Sequence, residues 1–500
     1  MRLYLINPLN PTVSLSRVKE NRFNKYRIWK PLGLMIIARI TPPEWDVTII
    51  DENVRVPDYD SLPRPDLVGL TAFTSQASRA YLLASMFRGK GVPVAMGGIH
   101  ATMRLAEATE NVNAVVTGEA EDAWPEVLDD LASGRLSQVY NGGLVDIERV
   151  PPARHDLLST GYAFGSIQTT RGCPLDCSFC SVTAFNGNRF RWRPIRQVVD
   201  EFKLIKENLV LIVDDNLIGT SRKHIARAKE LFRAMIDAKI GKRWMCQVTT
   251  NMGEDEELVR LAAQAGCFGA LIGFESPSND GLMEINKKYN MRKGQDARSS
   301  CRTMQRHGIG VSASFIMGLD VDKPGIGKQI VDRALSCGVD SLNVTMMTPF
   351  PGTRLWDTME SQGRIAANSF PEDWKYYTLG FPVANYMHLS WRELLDEWIS
   401  CLRSFYSYPR ILGRFLGAVL RTRKVFANFG LLVTNLIYRR NIKLDQQIHS
   451  SFDVSRGIAH GARELGRRDG TKRDLLLDST SEMRVDISAQ SREPTDVSEL

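Results

Sequence analysis

The sequence predicts an α/β protein made of two parallel-sheet domains followed by a helical carboxyl-terminal region. Three observations carry this. Short apolar runs alternate with helical stretches through residues 1–143, the same alternation recurs six times between residues 161 and 365, and helical spacing replaces it after about residue 366. Five hundred residues also exceed one ordinary core, and 43% apolar with 24% charged residues is a globular balance.

In the first domain the predicted strands are Leu3–Ile6, Val47–Ile50, Leu67–Leu70, Val92–Met96 and Ala114–Val116. Helices are expected over Leu32–Ile40, Ser75–Phe87, Thr102–Thr109 and Ala123–Leu131. This order indicates a doubly wound, Rossmann-like or flavodoxin-like sheet, whose ligand lies beyond the carboxyl ends of the strands. The segments there are Asn7-Pro8, Thr71-Ala72-Phe73-Thr74-Ser75, Gly97-Gly98-Ile99-His100 and Gly118-Glu119-Ala120-Glu121. Their glycines let backbone approach a large ligand closely.

A linker over residues 144–160, containing Pro151-Pro152, leads to the strand Phe164–Thr169 and then to the loop Thr169–Cys180. That loop places Cys173, Cys177 and Cys180 at the spacing CxxxCxxC. Thiolates are soft ligands suited to iron–sulfur clusters and zinc, and three on one loop can each hold a different iron of one cubane, leaving the fourth iron open. No fourth Cys or His follows at zinc-finger distance, which argues against a zinc knot. The other five cysteines are scattered singly, so a disulfide framework is not indicated and a reducing cytoplasm is the expected setting.

Further strands are expected at Leu209–Val213, Trp244–Thr249, Ala270–Gly273, Val311–Met317 and Ser341–Met346, with helices such as Ser221–Ala238 and Glu254–Gly266 between them. Six β/α units make a partial (β/α)6 barrel over residues 161–365, with its chemistry at the carboxyl ends of the strands. The polar residues there include Asp214, Thr250, Asn251, Glu275 and Ser314. An Asp or Asn in such a place also serves as a helix cap.

The helical region, residues 366–450, concentrates Trp374, Tyr376, Tyr377, Trp391 and Trp398 and is expected to cap the open end of the barrel. The net charge of +7 has one source: eight Lys and Arg residues between Arg410 and Lys443, with no acid among them. The rest is nearly balanced, so a nucleic-acid groove is not indicated. The segment 409–443 interleaves its charges with apolar residues, as does a helix lying on an anionic membrane surface or a packing helix with a solvated basic face. Residues 451–500 are polar, charged and poor in aromatics, and read as a disordered tail. No signal peptide and no apolar run of bilayer length is evident.

The cysteine loop is the signature of the radical S-adenosylmethionine (radical SAM) enzymes, and the post-strand segments of the first domain resemble the cobalamin-binding domain that precedes the barrel in many of them. The chain therefore resembles the cobalamin-dependent radical SAM enzymes over roughly residues 1–400. The resemblance implies a 4Fe-4S cluster on Cys173, Cys177 and Cys180. It implies SAM contacts from Phe179, Asp214, Thr250, Asn251, Glu275 (in Gly273-Phe274-Glu275-Ser276) and Ser314. Cobalamin contacts are implied for Asn7, Thr71, Thr74, Ser75, Gly97, Gly98, His100, Gly118 and Glu119. No DxHxxG motif is present, so cobalamin without a His ligand is expected, and His100 either meets the corrin edge or caps the next helix.

The function implied is a methyltransferase that generates a 5′-deoxyadenosyl radical, abstracts hydrogen from an unactivated carbon and transfers methyl from methylcobalamin to a small-molecule or lipid-like substrate. A flavodoxin or ferredoxin would donate electrons. Competing readings are a radical SAM oxidative cyclase, a rearrangement without methyl transfer, and a non-catalytic cobalamin-binding regulator. No additional amino-terminal cysteine cluster is present to supply sulfur, which argues against a methylthiotransferase.

Overall fold

A computed structural model describes residues 1–12, 30–158, 161–292, 296–422, 425–457 and 459–460, with the side chains of 421–428 left undescribed. The first sheet contains β1 (Arg2–Asn7), β2 (Asp46–Asp51), β3 (Leu67–Thr71), β4 (Val94–Gly97), β5 (Ala114–Thr117) and β6 (Val139–Asn141) in the spatial order 2-1-3-4-5-6. All its pairings are parallel, so this is the flavodoxin-like arrangement. The helix Leu32–Ile40 forms where expected, because Leu32, Leu34, Met35, Ile36 and Ala38 are buried against one face of that sheet. The edge strand β6 has no counterpart in the sequence reading. Only Tyr140 of its three residues is buried, too short an apolar signal to register.

The second sheet is parallel and takes its strands in chain order: β7 (Gly165–Ile167), β10 (Leu209–Ile212), β11 (Arg243–Val248), β12 (Cys267–Glu275), β13 (Gly310–Met317) and β14 (Ser341–Met346). It is the six-stranded open barrel that the alternation predicts. Between its first two strands lies a hairpin, β8 (Thr170–Arg171) with β9 (Arg191–Trp192), that encloses the cysteine loop. This hairpin was not expected, since two-residue strands carry no periodicity.

The helix Trp391–Phe405 covers the edge strand β14 instead of the barrel's open end. The reason is hydrogen bonding: Trp398 Nε1 donates to the Val344 carbonyl at 2.8 Å, and Tyr406 Oη donates to that of Leu342 at 2.8 Å. Both bonds satisfy carbonyls that an edge strand leaves open. The packed chain also runs past residue 450. Phe452 stacks on Trp391 at 5.1 Å, and Arg456 pairs with Asp373 at 2.5 Å, which corrects the expected start of a tail at 451. Residues 461–500, where the rest of that tail was placed, lie outside the described residues.

One buried carboxyl in the barrel yields a pH test. Asp322, 3% exposed, accepts the N–H groups of Gly318 and Leu319 in the turn after β13 at 2.9 and 3.0 Å. Burial nevertheless pushes its pKa from 3.8 up to about 7. The folded chain therefore holds a proton there that the unfolded chain releases, so this contribution is complete below about pH 4 and is lost as pH rises to about 7. Relative to Asp322→Asn, the wild-type barrel should lose on the order of 4 kcal/mol between those limits. Paired urea titrations at pH 5 and pH 7.5 check this, and an unchanging difference between the two proteins would refute it.

Candidate active site

The cysteine loop is held in place from several sides. Thr169, where the loop leaves β7, donates its N–H and hydroxyl to the two carboxylate oxygens of Asp214 at 2.6 and 2.5 Å. Gly172 has φ +81°, and a Cβ there would sit 2.2 Å from the Arg189 carbonyl, so only glycine fits this turn. Between the ligand positions, Asn286 donates to the Asp176 carbonyl at 2.6 Å, and the Leu355 N–H donates to that of Ser178 at 3.1 Å. The loop is thus clamped by chain from the far side of the barrel.

Cys173, Cys177 and Cys180 line a cavity of about 340 Å³, within the range of sites that enclose a small molecule. Burial raises the pKa of all three thiols, that of Cys177 to about 12. They become stable thiolates only beside a bound cationic centre. Among the described residues no three His, Cys, Asp or Glu side chains converge as a single metal ion requires.

Across the cavity lies a buried ion pair, Lys287 Nζ to Glu275 Oε1 at 3.0 Å. Burial alone would lower the lysine pKa, but the Glu275 carboxylate and Cys177 raise it, and Lys287 stays an ammonium facing the three sulfurs. Glu275 itself has φ +67°, uncommon for a residue with a side chain, at a register shift where β12 pairs with β13. A Cβ on Gly273 would come within 2.1 Å of Glu275 Oε1, so that glycine lets the carboxylate fold back over its own strand.

The cavity gathers Phe179, Glu275 and Ser314 from the residues singled out in the sequence, together with Asp215, Asn216, Gln247, Thr249, Lys287, Asn343 and Thr345, which were not. Their signal is faint. In β14 the partly exposed positions are Ser341, Asn343 and Thr345, and the buried ones are Leu342, Val344 and Met346. An apolar strand with polar alternate residues reads equally as a solvent-facing strand.

Three candidates fall outside the lining. Asp214 is fully occupied with Thr169 behind the loop, and burial raises its pKa to about 6 despite those bonds. Asn251 accepts the Thr249 hydroxyl at 2.5 Å and donates to the Gly219 carbonyl, and Thr250 is buried with its carbonyl accepting from Ser300.

A second crevice runs over the first sheet, between Leu5, Gly69, Ala95 and Val116 of its strands and Gly33, Leu34 and Ile37 at the start of the Leu32–Ile40 helix. Thr71, Gly97, Gly98, Gly118 and Glu119 line it at the strand ends. A Cβ on Gly33 would meet nothing within 4 Å, so the crevice is open at the start of the helix. Asn7, Thr74, Ser75 and His100 are not in the lining. Asn7 is tied to Asp51 and Gln76, Ser75 accepts from Asn10, and Thr74 is buried in the turn before Ala77. His100 is wholly buried, with Nε2 3.0 Å from Tyr81 Oη and its ring edge-on to Trp374, so neither corrin contact nor helix capping describes it.

The crevice and the cavity meet at the hairpin. Arg171 on β8 pairs with Glu119 at 3.2 Å and with Glu121, while Arg191 on β9 also pairs with Glu119. Burial alone would raise the Glu119 pKa, but the Arg191 bond and the Arg171 charge pull it down, so the carboxylate stays ionised. Asp215 lines both spaces. The end of the first sheet therefore abuts the cysteine cavity with one side chain in the shared wall.

Two family descriptions follow one another on this chain. Residues 24–128 match the B12 binding domain and residues 167–325 match the Radical SAM superfamily. The chain belongs to the cobalamin-dependent radical SAM enzymes. A similar relative is the bacteriochlorophyllide d C-12(1)-methyltransferase of Chlorobaculum tepidum, 29% identical over 78% of this chain and 85% of that protein. Another is the hopanoid C-2 methylase of Rhodopseudomonas palustris, 26% identical over 77% of this chain and 72% of that protein. The fold is shared with the radical SAM methyltransferase TsrM from Kitasatospora setae, solved with tryptophan and a SAM analogue, at TM-score 0.62 and 16% identity over 93% of this chain and 99% of that one.

As a cobalamin-dependent radical SAM enzyme, the protein uses a 4Fe-4S cluster, SAM and cobalamin. The residues present fit them: one buried and two half-buried thiols beside an ammonium for the cluster, and a glycine-lined crevice for cobalamin. Among the described residues no histidine lines that crevice.

Proposed function

We propose that this enzyme is a C-methyltransferase acting on an unactivated carbon of a hydrophobic small molecule. The observation that carries the reading is the shared wall at Asp215, which brings the three-thiol cavity and the cobalamin crevice together. When bound, the cluster with SAM supplies a radical able to remove hydrogen from unreactive carbon, and cobalamin supplies a transferable methyl group. The chain's own work is binding, orientation and exclusion of water.

Lys287 offers an ammonium to a carboxylate held beside the three sulfurs, and Glu275 keeps that ammonium in place. Phe179 gives an apolar wall to a ring system. Leu271, Ile316, Met346, Met347, Phe350 and Leu379 add apolar surface to the cavity beside its polar residues, which supports a lipid-like or polycyclic substrate such as those named for the bacteriochlorophyllide and hopanoid relatives. A one-electron donor of the flavodoxin or ferredoxin type completes the system.

Anaerobically reconstituted enzyme, incubated with reductant, SAM labelled in its methyl group and a panel of hopanoid and tetrapyrrole acceptors, tests the proposal. Label should appear in the product. Product formed without label would identify a cyclase or rearrangement, and failure to cleave SAM at all would favour the regulator.

A further inference from the structure

We propose that the outer face of the carboxyl-terminal helical hairpin docks on an anionic lipid surface. The hairpin consists of the helices Tyr408–Thr422 and Val425–His449, which pack on one another. Their inward side is defined by Ile411, Ala418, Asn435 and Ile442, all buried, and Arg414 ties the two helices by donating to Asn435 at 2.6 Å. The other side is left open. Tyr408, Leu412, Leu416 and Leu420 recur every four residues and are 64, 52, 49 and 79% exposed, with Phe429 and Leu436 exposed on the second helix. Single exposed apolar residues are ordinary, but a continuous row of them on one helix marks a surface that something covers.

Charge selects the occupant. From Arg410 through Leu444 the chain carries eight Lys and Arg residues and no Asp or Glu. Two of the eight, Lys424 and Lys443, are lysines, which a protein interface core disfavours, and apolar side chains interleaved with basic ones suit the boundary between anionic headgroups and acyl chains. Arg439 stacks over Tyr408 at 4.1 Å, which keeps a guanidinium at the border of the apolar row, and Lys443 is exposed one turn further on. No helix among the described residues is long and apolar enough to cross a membrane, so the contact is peripheral. Position adds a reason for such docking. His449, at the end of the hairpin, lies 2.8 Å from the carbonyl of Gly380, next to Leu379 in the lining of the cysteine cavity. The lipid-facing element thus leads to the rim of the site. This inference goes beyond the methyl-transfer reading and does not rest on it.

The test is co-sedimentation of the full, anaerobically purified protein with vesicles of mixed phosphatidylcholine and phosphatidylglycerol, and with phosphatidylcholine alone. Binding to the anionic vesicles, weakened by added salt, is expected. The triple variant Leu412→Glu/Leu416→Glu/Leu420→Glu should bind about tenfold less or weaker still. All three sites are solvent-facing, so its thermal unfolding midpoint should stay near that of the wild type. If that midpoint falls, Arg440→Glu/Lys443→Glu serves as the second variant, with the same loss expected. Equal binding by wild type and variant, or none by wild type, overturns the proposal. So does a wild-type dimer in sedimentation velocity that the variant converts to monomer, because the row would then be a contact between copies of this chain.

Discussion

Replacing Lys287 by methionine is expected to reduce reductive SAM cleavage by about two to three orders of magnitude, the scale for losing a preorganised charge in a closed site. Iron content and the visible spectrum of the cluster should be retained. The ammonium is buried, lies 3.0 Å from Glu275 and faces the sulfurs of Cys173 and Cys177 without being one of the cluster's ligands. Its loss also strands the Glu275 carboxylate in a buried site, which should cost about 3 kcal/mol of stability. The double variant Lys287→Met/Glu275→Gln separates the two effects. It removes both charges, so stability should largely return while SAM cleavage stays low. Recovery of cleavage together with stability would show that Lys287 is only half of a structural pair. Quantifying 5′-deoxyadenosine after dithionite reduction, beside a thermal melt of each variant, distinguishes these outcomes.

The second large effect is expected at the join between the domains. Arg171→Met leaves Glu119 with Arg191 as its remaining cationic partner and removes the guanidinium from Glu121, whose side chain is only 12% exposed. A buried carboxylate without its cation is destabilising by about 3 kcal/mol. The carboxylates lie in the turn after β5, where Gly118 and Glu119 border the cobalamin crevice. The expected result is a several-fold lower cobalt content after gel filtration, with iron per chain unchanged because the thiols and their clamps are untouched. Unchanged cobalt content would show that the hairpin does not control the crevice.

Both predictions involve residues that the sequence left silent or misassigned. Lys287 is one basic residue in a polar stretch after Glu275, and nothing in its spacing says that the turn through residues 279–291 folds back over β12. Arg171 stands two residues before the first cysteine and reads as part of the loop's backbone geometry. Its role is to reach Glu119 and Glu121, some fifty residues earlier in the chain. Asp214 and His100 show the opposite case, positions that the sequence singles out and the fold keeps out of the two linings. Each stands where a flavodoxin-like sheet or a barrel presents ligand-binding residues, yet Asp214 spends both oxygens on Thr169, and His100 is enclosed by Tyr81 and Trp374. A position beyond a strand end fixes where a residue starts; the direction of its side chain depends on which neighbours pack over it.

The sequence by itself determined the two parallel sheets, the limits of most strands and the three-thiol loop. Those properties are written in local periodicity and in cysteine spacing, which need no knowledge of distant contacts. Tertiary structure alone decided the pairing of Lys287 with Glu275, the arginine–glutamate join at the β8–β9 hairpin and the shared wall at Asp215. It also decided that the apolar row Tyr408–Leu420 faces outward. The physical reason is common to all four: a charge or an apolar side chain acquires its role from what surrounds it after folding, and those surroundings come from chain beyond the reach of local periodicity, from twelve residues away for Lys287 and Glu275 to fifty for Arg171 and Glu121.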